Sequence, residues 1–491
     1  MNDGIFLRLQ RWAATAALTL LCIAIVFSPL PFGSVGLPAI VVWVGVLGLS
    51  AILVAFQPLR SRQTKLLLPL WVFCGCWAAV CYLQISPSDG MFSRLANPIW
   101  AQTGDILGQQ LQAIPAALRS QTVTSQGPAL LAVLALGCGI VLGSAERGAK
   151  AIVIAFAWSG LAYAIFGIVS FLVDPTTVFG FEKDAYRSEL TATFYNRNTA
   201  AFYFGSCAIV WLMFGLEKIK TRNASRDPDK PEETARPFLW GVLSIEMLPK
   251  LLAVFVCLVA TFMTRSRAGA VVSVTGLGVA SLAFFFHSLP SRSSWLVAML
   301  GAISGSGLLI QFLGGGTAER ISVDGLSDGG RFEAYKSTLK MIADAPWLGS
   351  GLGSFPWVFP IYRSPAVSSW GVWDRAHNTL LELTAEVGLP LSALFVMGWL
   401  AMFVMLLRGI ATRRKGVGWP AGALGILVAA TLHSMVDFPM QIPAVSIVVF
   451  AVIGAGLSQS FRPHSLRPQS LQPRSASRQV SATVPSKSPV L

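Results

Sequence analysis

Apolar positions in this chain come in long unbroken runs, not in the alternation of a half-buried strand or the one-sided stripe of a soluble helix. Run after run reaches about 20 residues, the length a helix needs to cross a hydrocarbon layer. The pattern predicts spans near 12–31, 37–56, 66–84, 128–145, 151–173, 199–216, 247–263, 268–288, 294–313, 389–407, 418–436 and 442–460. The expected fold is an all-α polytopic membrane protein of about twelve transmembrane helices, with both termini on one side. Its long polar connections are 85–127, 174–198 and 314–378.

Basic residues orient the bundle. With the N-terminus inside, Arg8, Arg11, Arg60, Arg62, Lys65, Arg147, Lys150, the group from Lys218 to Arg236, Arg292, the group from Arg408 to Lys415 and the C-terminal arginines fall on inner connections. They hold most of the 37 Lys and Arg, as the positive-inside rule requires of a cytoplasmic face. The smaller outer set includes Arg197, Arg265, Arg267, Arg331 and Arg375.

Composition excludes a soluble domain, since 54% of the residues are hydrophobic and 12% charged. A net charge of +14 raises nucleic acid as a partner, but the basic residues form no stripe with interleaved aromatics, so the expected partner is the lipid bilayer. The seven cysteines sit in or beside apolar runs without ligand spacing to histidine, and we expect no metal and no cofactor. Arg8 and Arg11 precede an apolar run without a convincing cleavage site, which reads as a retained first helix. Residues 461–491, rich in Ser, Pro, Gln and Arg, have the composition of a disordered cytoplasmic tail, and 217–236 that of a solvated connector. In the first outer connection, the amphipathic run 106–118 suits a helix lying flat on the bilayer and carries no recognisable chemistry.

Four places carry candidate chemistry. Asn196-Arg197-Asn198 stands just before a span, and Thr264-Arg265-Ser266-Arg267-Ala268-Gly269 joins two spans with no room for a loop. Thr264 or Ser266 is placed to cap the following helix, whose free amides would add to the positive field. A span-end arginine also suits lipid phosphate, yet several guanidinium forks on one face are what a diphosphate requires. His377 opens the run Asn378 to Gly388, and a neutral imidazole is suited to take a proton near neutral pH. Asn378, Glu382 and Glu386 follow at helical spacing; the glutamates fit either a solvated face or an orienting role. His433 and Asp437 lie one turn apart, in reach of each other or of the same outer site. Gly349, Gly351 and Gly353 lack the lysine of a phosphate loop and read as a tight turn at the membrane surface. Trp347, Trp357, Trp370 and Trp373 beside them suit interfacial anchoring or sugar stacking.

Taken in order, Asn196 to Asn198, Thr264 to Gly269, Arg331 to Gly353, His377-Asn378 with its gap to Gly388, and His433-Ser434 through Asp437-Phe438-Pro439 resemble the O-antigen ligase and Wzy polysaccharide polymerase superfamily over about residues 130–460. The resemblance implies a GT-C-like glycosyltransferase bundle over residues 1–460, multi-pass in the bacterial inner membrane, with a periplasmic loop at about 314–378 over the active site. It implies a donor glycan on undecaprenyl diphosphate and an acceptor that is a glycan or lipid A-core. It carries Arg197 and Arg265 over to the donor diphosphate and His377 to the acceptor; Arg267 is added here on its position. The implied chemistry is metal-independent inverting transfer, because a diphosphate leaves readily once arginine holds its charge. Leu391 stands where the ligase pattern has Gly, Thr or Tyr, so a polymerase joining lipid-linked repeat units stays open beside a ligase. A transporter or flippase of lipid-linked sugars is the non-enzymatic reading, although few ionisable residues lie at mid-span.

Overall fold

The computed structural model describes residues 2–59, 61–224, 245–288, 329–367 and 373–461. Helices α1 (Asn2–Phe27), α2 (Leu37–Ala55) and α3 (Ser61–Ile85) follow one another. The polar segment after α3 holds two short helices, α4 (Ile99–Leu107) and α5 (Arg119–Thr124). The expected flat helix over 106–118 does not form, because Gly108 ends α4 in the left-handed conformation and Ile114, Ala116 and Ala117 are buried as irregular chain. Next come α6 (Gly127–Leu142), α7 (Glu146–Val173), the hairpin strands β1 (Thr177–Val178) and β2 (Phe181–Glu182), and α8 (Arg197–Ala224). A tight turn joins α9 (Leu248–Met263) to α10 (Arg267–Phe284). The rest is α11 (Gly329–Asp344), α12 (Phe355–Tyr362), α13 (Thr379–Thr412), α14 (Gly418–Ser434) and α15 (Pro443–Ser460).

Among the described residues, 9 helical segments are long and apolar enough to cross a membrane, and the shorter α9 is apolar as well. This is an all-α polytopic membrane protein. The run expected at 294–313, most of the connector at 217–236 and the tail beyond Phe461 lie outside the described residues.

Burial sorts the helices. α15 is buried along its whole length and α8 along most of its own, whereas α3 turns most of its apolar surface outward, as a lipid-facing helix does. Hydrocarbon offers apolar surface the same solvent as a protein interior, so close packing, not water exclusion, holds such helices together. Small residues permit it where α6 crosses α15: a side chain at Gly139 would begin 2.5 Å from the Ala451 carbonyl oxygen.

α13 is broken in the middle and repaired from outside. Gly388 leaves the helix with φ 81° and ψ 168°, and Pro390 has no amide to give the Glu386 carbonyl. The glycine-rich turn before α12 supplies what the ladder loses. The Leu389 amide donates to the Pro346 carbonyl (2.8 Å), and the Ser350 and Gly351 amides donate to the carbonyls of Ala385 (2.9 Å) and Glu386 (3.0 Å). Gln84, at the end of α3, adds its Nε2 to the Glu386 carbonyl (2.7 Å) and accepts the Leu352 amide on Oε1 (3.2 Å). The two strands of chain run so close that a Cβ at Gly349 would lie 2.3 Å from the Glu386 carbonyl carbon. The glycines thus serve a splice between a loop and a broken helix.

Candidate functional site

Three helices start at one place. Asn196 Oδ1 accepts the Asn198 amide (2.7 Å) at the head of α8, Ser266 Oγ accepts the Gly269 amide (3.0 Å) at the head of α10, and Asn378 caps α13 by accepting the Leu381 amide (3.1 Å). Each cap satisfies an amide that the first turn leaves unbonded.

Side-chain bonds tie these heads together. Ser266 Oγ donates to Asn198 Oδ1 (2.7 Å), and Asn198 Nδ2 donates to Asp437 Oδ2. The other carboxylate oxygen accepts the Phe438 amide (2.8 Å) and faces His377 Nδ1 at 3.6 Å, longer than a hydrogen bond. Thr379 Oγ1 donates to the Asp437 carbonyl (3.2 Å) and Asn378 Nδ2 to the Met435 carbonyl (3.1 Å), fastening the head of α13 to the segment after α14. Arg331 Nη1 reaches the Val436 carbonyl (2.8 Å), and the Tyr335 hydroxyl lies 2.9 Å from the His377 carbonyl. Segments far apart in sequence therefore converge on Asp437.

Asp437 is buried, at 1% exposure. Burial alone would raise its carboxyl; His377, His433 and Arg331 hold it below the ordinary carboxylate range, so it is an anion. Three positive helix ends converge on it and reinforce that state. His377 sits in a left-handed backbone conformation (φ 52°), its ring 5.6 Å from Trp373 and 5.3 Å from Phe438. Nδ1 is buried toward Asp437, which leaves Nε2 as the nitrogen a substrate can reach.

The arginines lie beside this network. Arg197, first residue of α8, pairs with Glu189 (2.7 Å) and lies over the Tyr186 ring (5.0 Å). Arg265 is exposed, with φ 52°, and the half-buried Arg267 begins α10; the two flank Ser266 as Arg197 flanks Asn198. The Asn198–Ser266 bond thus brings the two arginine-bearing segments together.

Other expected residues fall differently. Glu382 and Glu386 are buried, not on a solvated face. Glu382 accepts from Arg375 (3.1 Å) and from the Ala376 amide (2.7 Å), and Glu386 accepts the Phe355 amide (3.0 Å) at the head of α12. Burial alone would lower the Arg375 guanidinium, but Glu382 raises its pKa above the ordinary value, so this pair stays ionic beneath the site. His433 and Asp437 share a backbone bond of 2.8 Å and no side-chain hydrogen bond; neither ring nitrogen of the buried His433 has one. Trp347 and Trp357 are exposed, Trp373 packs on His377, and Trp370 lies outside the described residues. Leu391 is buried among Cys81, Leu352 and Val387, away from the network.

Asn198, Arg331, Tyr335 and Arg375 join the site without having been given roles from the sequence, and Ser266, expected as a cap, also bonds Asn198. Asn198 and Ser266 had a signal in their adjacency to arginine; the others bind backbone or a buried acid, which leaves no local pattern.

The family model described as O-Antigen ligase matches residues 252–396, from α9 into α13. Over this stretch the match supports the O-antigen ligase and Wzy superfamily. The matched stretch contains Arg265, Ser266, Arg267, Arg331, Arg375, His377 and the α13 splice, while Arg197, Asn198 and Asp437 of the candidate site lie outside it. No curated protein matches the chain.

Proposed function

We propose that the protein is a membrane glycosyltransferase of the ligase type, moving a glycan from undecaprenyl diphosphate to an acceptor hydroxyl at the periplasmic face of the bacterial inner membrane. The observation that carries this reading is the convergence of His377, the buried Asp437 carboxyl and two arginine-bearing helix heads on one polar network.

In the reaction, the acceptor oxygen attacks the anomeric carbon and loses its proton to His377 Nε2. The bond from that carbon to the diphosphate oxygen breaks with inversion, and the leaving oxygen keeps the electron pair. Asp437 faces Nδ1 and stabilises the imidazolium that forms, a positioning role. Arg197 and Arg265, with Arg267 behind, take up the charge on the leaving diphosphate.

The test is to express His377→Ala at wild-type level and separate carrier-linked from transferred glycan by size. Full-length polymer retained on the carrier supports the ligase, and single repeat units there indicate a polymerase. Donor held on the cytoplasmic side points to transport, and normal transfer overturns the site.

A further inference from the structure

Tyr186 sits in the connection between α7 and α8 and carries no expected role. Its backbone is left-handed (φ 58°), a conformation unfavourable to a non-glycine residue that persists where the surroundings enforce it. They do so here. The Tyr186 carbonyl accepts the Glu189 amide (3.2 Å), and the Leu190 amide is bonded to the Met263 carbonyl (3.2 Å), one residue before the Thr264–Arg267 turn. Lys183 Nζ donates to the Glu189 carbonyl (2.8 Å), closing the loop on itself.

The result is a sandwich. The Arg197 guanidinium has the Tyr186 ring 5.0 Å away and the Glu189 carboxylate at 2.7 Å. Burial and then Asp437 push the Tyr186 hydroxyl upward, with Arg197, Arg331 and Glu189 also near enough to act on it, so it remains a protonated donor at neutral pH. Among the described residues that hydroxyl makes no hydrogen bond, and it is not sealed from solvent. A hydroxyl fixed by a strained loop, next to arginine and without a protein acceptor, is ready for an oxygen of a ligand.

We propose that Tyr186 is a donor-binding residue: its ring holds the Arg197 fork in place and its hydroxyl donates a hydrogen bond to an oxygen of the substrate diphosphate. This rests on the lipid-diphosphate reading above and adds to it a neutral donor in a clamp otherwise made of cations.

The experiment uses the full-length protein in lipid nanodiscs, with polyprenyl-diphosphate-linked glycan as donor and inorganic pyrophosphate as a separate probe. Tyr186→Phe keeps the ring and removes the hydroxyl. It should raise the donor KM about tenfold, as loss of a charge-assisted hydrogen bond does, and weaken pyrophosphate binding, leaving kcat and the acceptor KM unmoved. Tyr186→Ala should cost more, since the platform goes too. Wild-type donor KM and pyrophosphate binding in Tyr186→Phe would overturn the proposal, even with Tyr186→Ala defective, because the ring would then serve Arg197 alone. Should the wild-type protein transfer no glycan from a lipid diphosphate, the ligase reading fails instead, and pyrophosphate binding still decides on the hydroxyl.

Discussion

Two regions of this protein use the same materials, left-handed backbone, buried carboxylate and helix ends, and finish them differently. At the α13 break, the polar side-chain atoms of Gln84, Ser350, Ser354, Glu382 and Glu386 have partners and the freed backbone groups are taken up by a neighbouring loop. At Asp437, His377 Nδ1 stands 3.6 Å from its acid and His433 has no partner on either nitrogen. A buried polar group without a partner costs about 1–3 kcal/mol, so a fold keeps such groups where something else uses them. The closed network supports; in the reaction proposed above, the open one meets the substrate.

His377→Ala and Gly388→Ala should separate the two regions most clearly. Loss of a general base should slow transfer by about 10²- to 10⁴-fold with the melting temperature held, as turnover and thermal unfolding of the purified protein would register. A Cβ at Gly388 would lie 2.2 Å from the Trp347 carbonyl oxygen at φ 81°, so that variant should fail to yield folded protein on size exclusion. If both lost activity with stability intact, the division would be wrong.

Asp437→Asn sharpens the open side. Removing the charge behind His377 should add about 2 kcal/mol to the barrier, roughly a 30-fold fall in kcat. On the closed side, Glu386→Leu strands the Phe355 amide and should cost about 1–3 kcal/mol of stability, while each molecule that folds keeps its turnover. Arg265→Gly relieves a strained backbone and should gain about 1 kcal/mol in denaturant unfolding while donor affinity drops. The smallest effect is in pH. Asp437 is held below the ordinary carboxylate range, so its stabilisation is present above the unfolded pKa of about 3.9 and is lost as pH falls through the lower folded value. The stability gap between wild type and Asp437→Asn should accordingly close in acid; a gap constant down to low pH would mean that Asp437 is not the anion.

The sequence made the bundle legible because a bilayer demands long apolar runs, and nearly every expected span falls on a described helix. It also made each fragment of the site legible by residue type. Their meeting was not, since Asn198 and Asp437 are 239 residues apart and nothing local records the bond. Glu382 and Glu386 misled for the same reason: helical spacing shows which residues share a face, and only the packing of Arg375 and the head of α12 shows that the face is covered. The apolar run suggested that a span starts near 389, whereas the helix begins at Thr379 and continues across Gly388 on hydrogen bonds borrowed from residues 346–351.

That borrowing fixes how the outer part of α13 opens. The amides of Ser350, Gly351, Leu352, Phe355 and Leu389 are each bonded to a different segment of chain, so none exchanges with deuterium unless the two segments part. Their protection should be lost in one concerted event that also frees Gln84, making the two turns that carry His377 the last of the polar chain to fray.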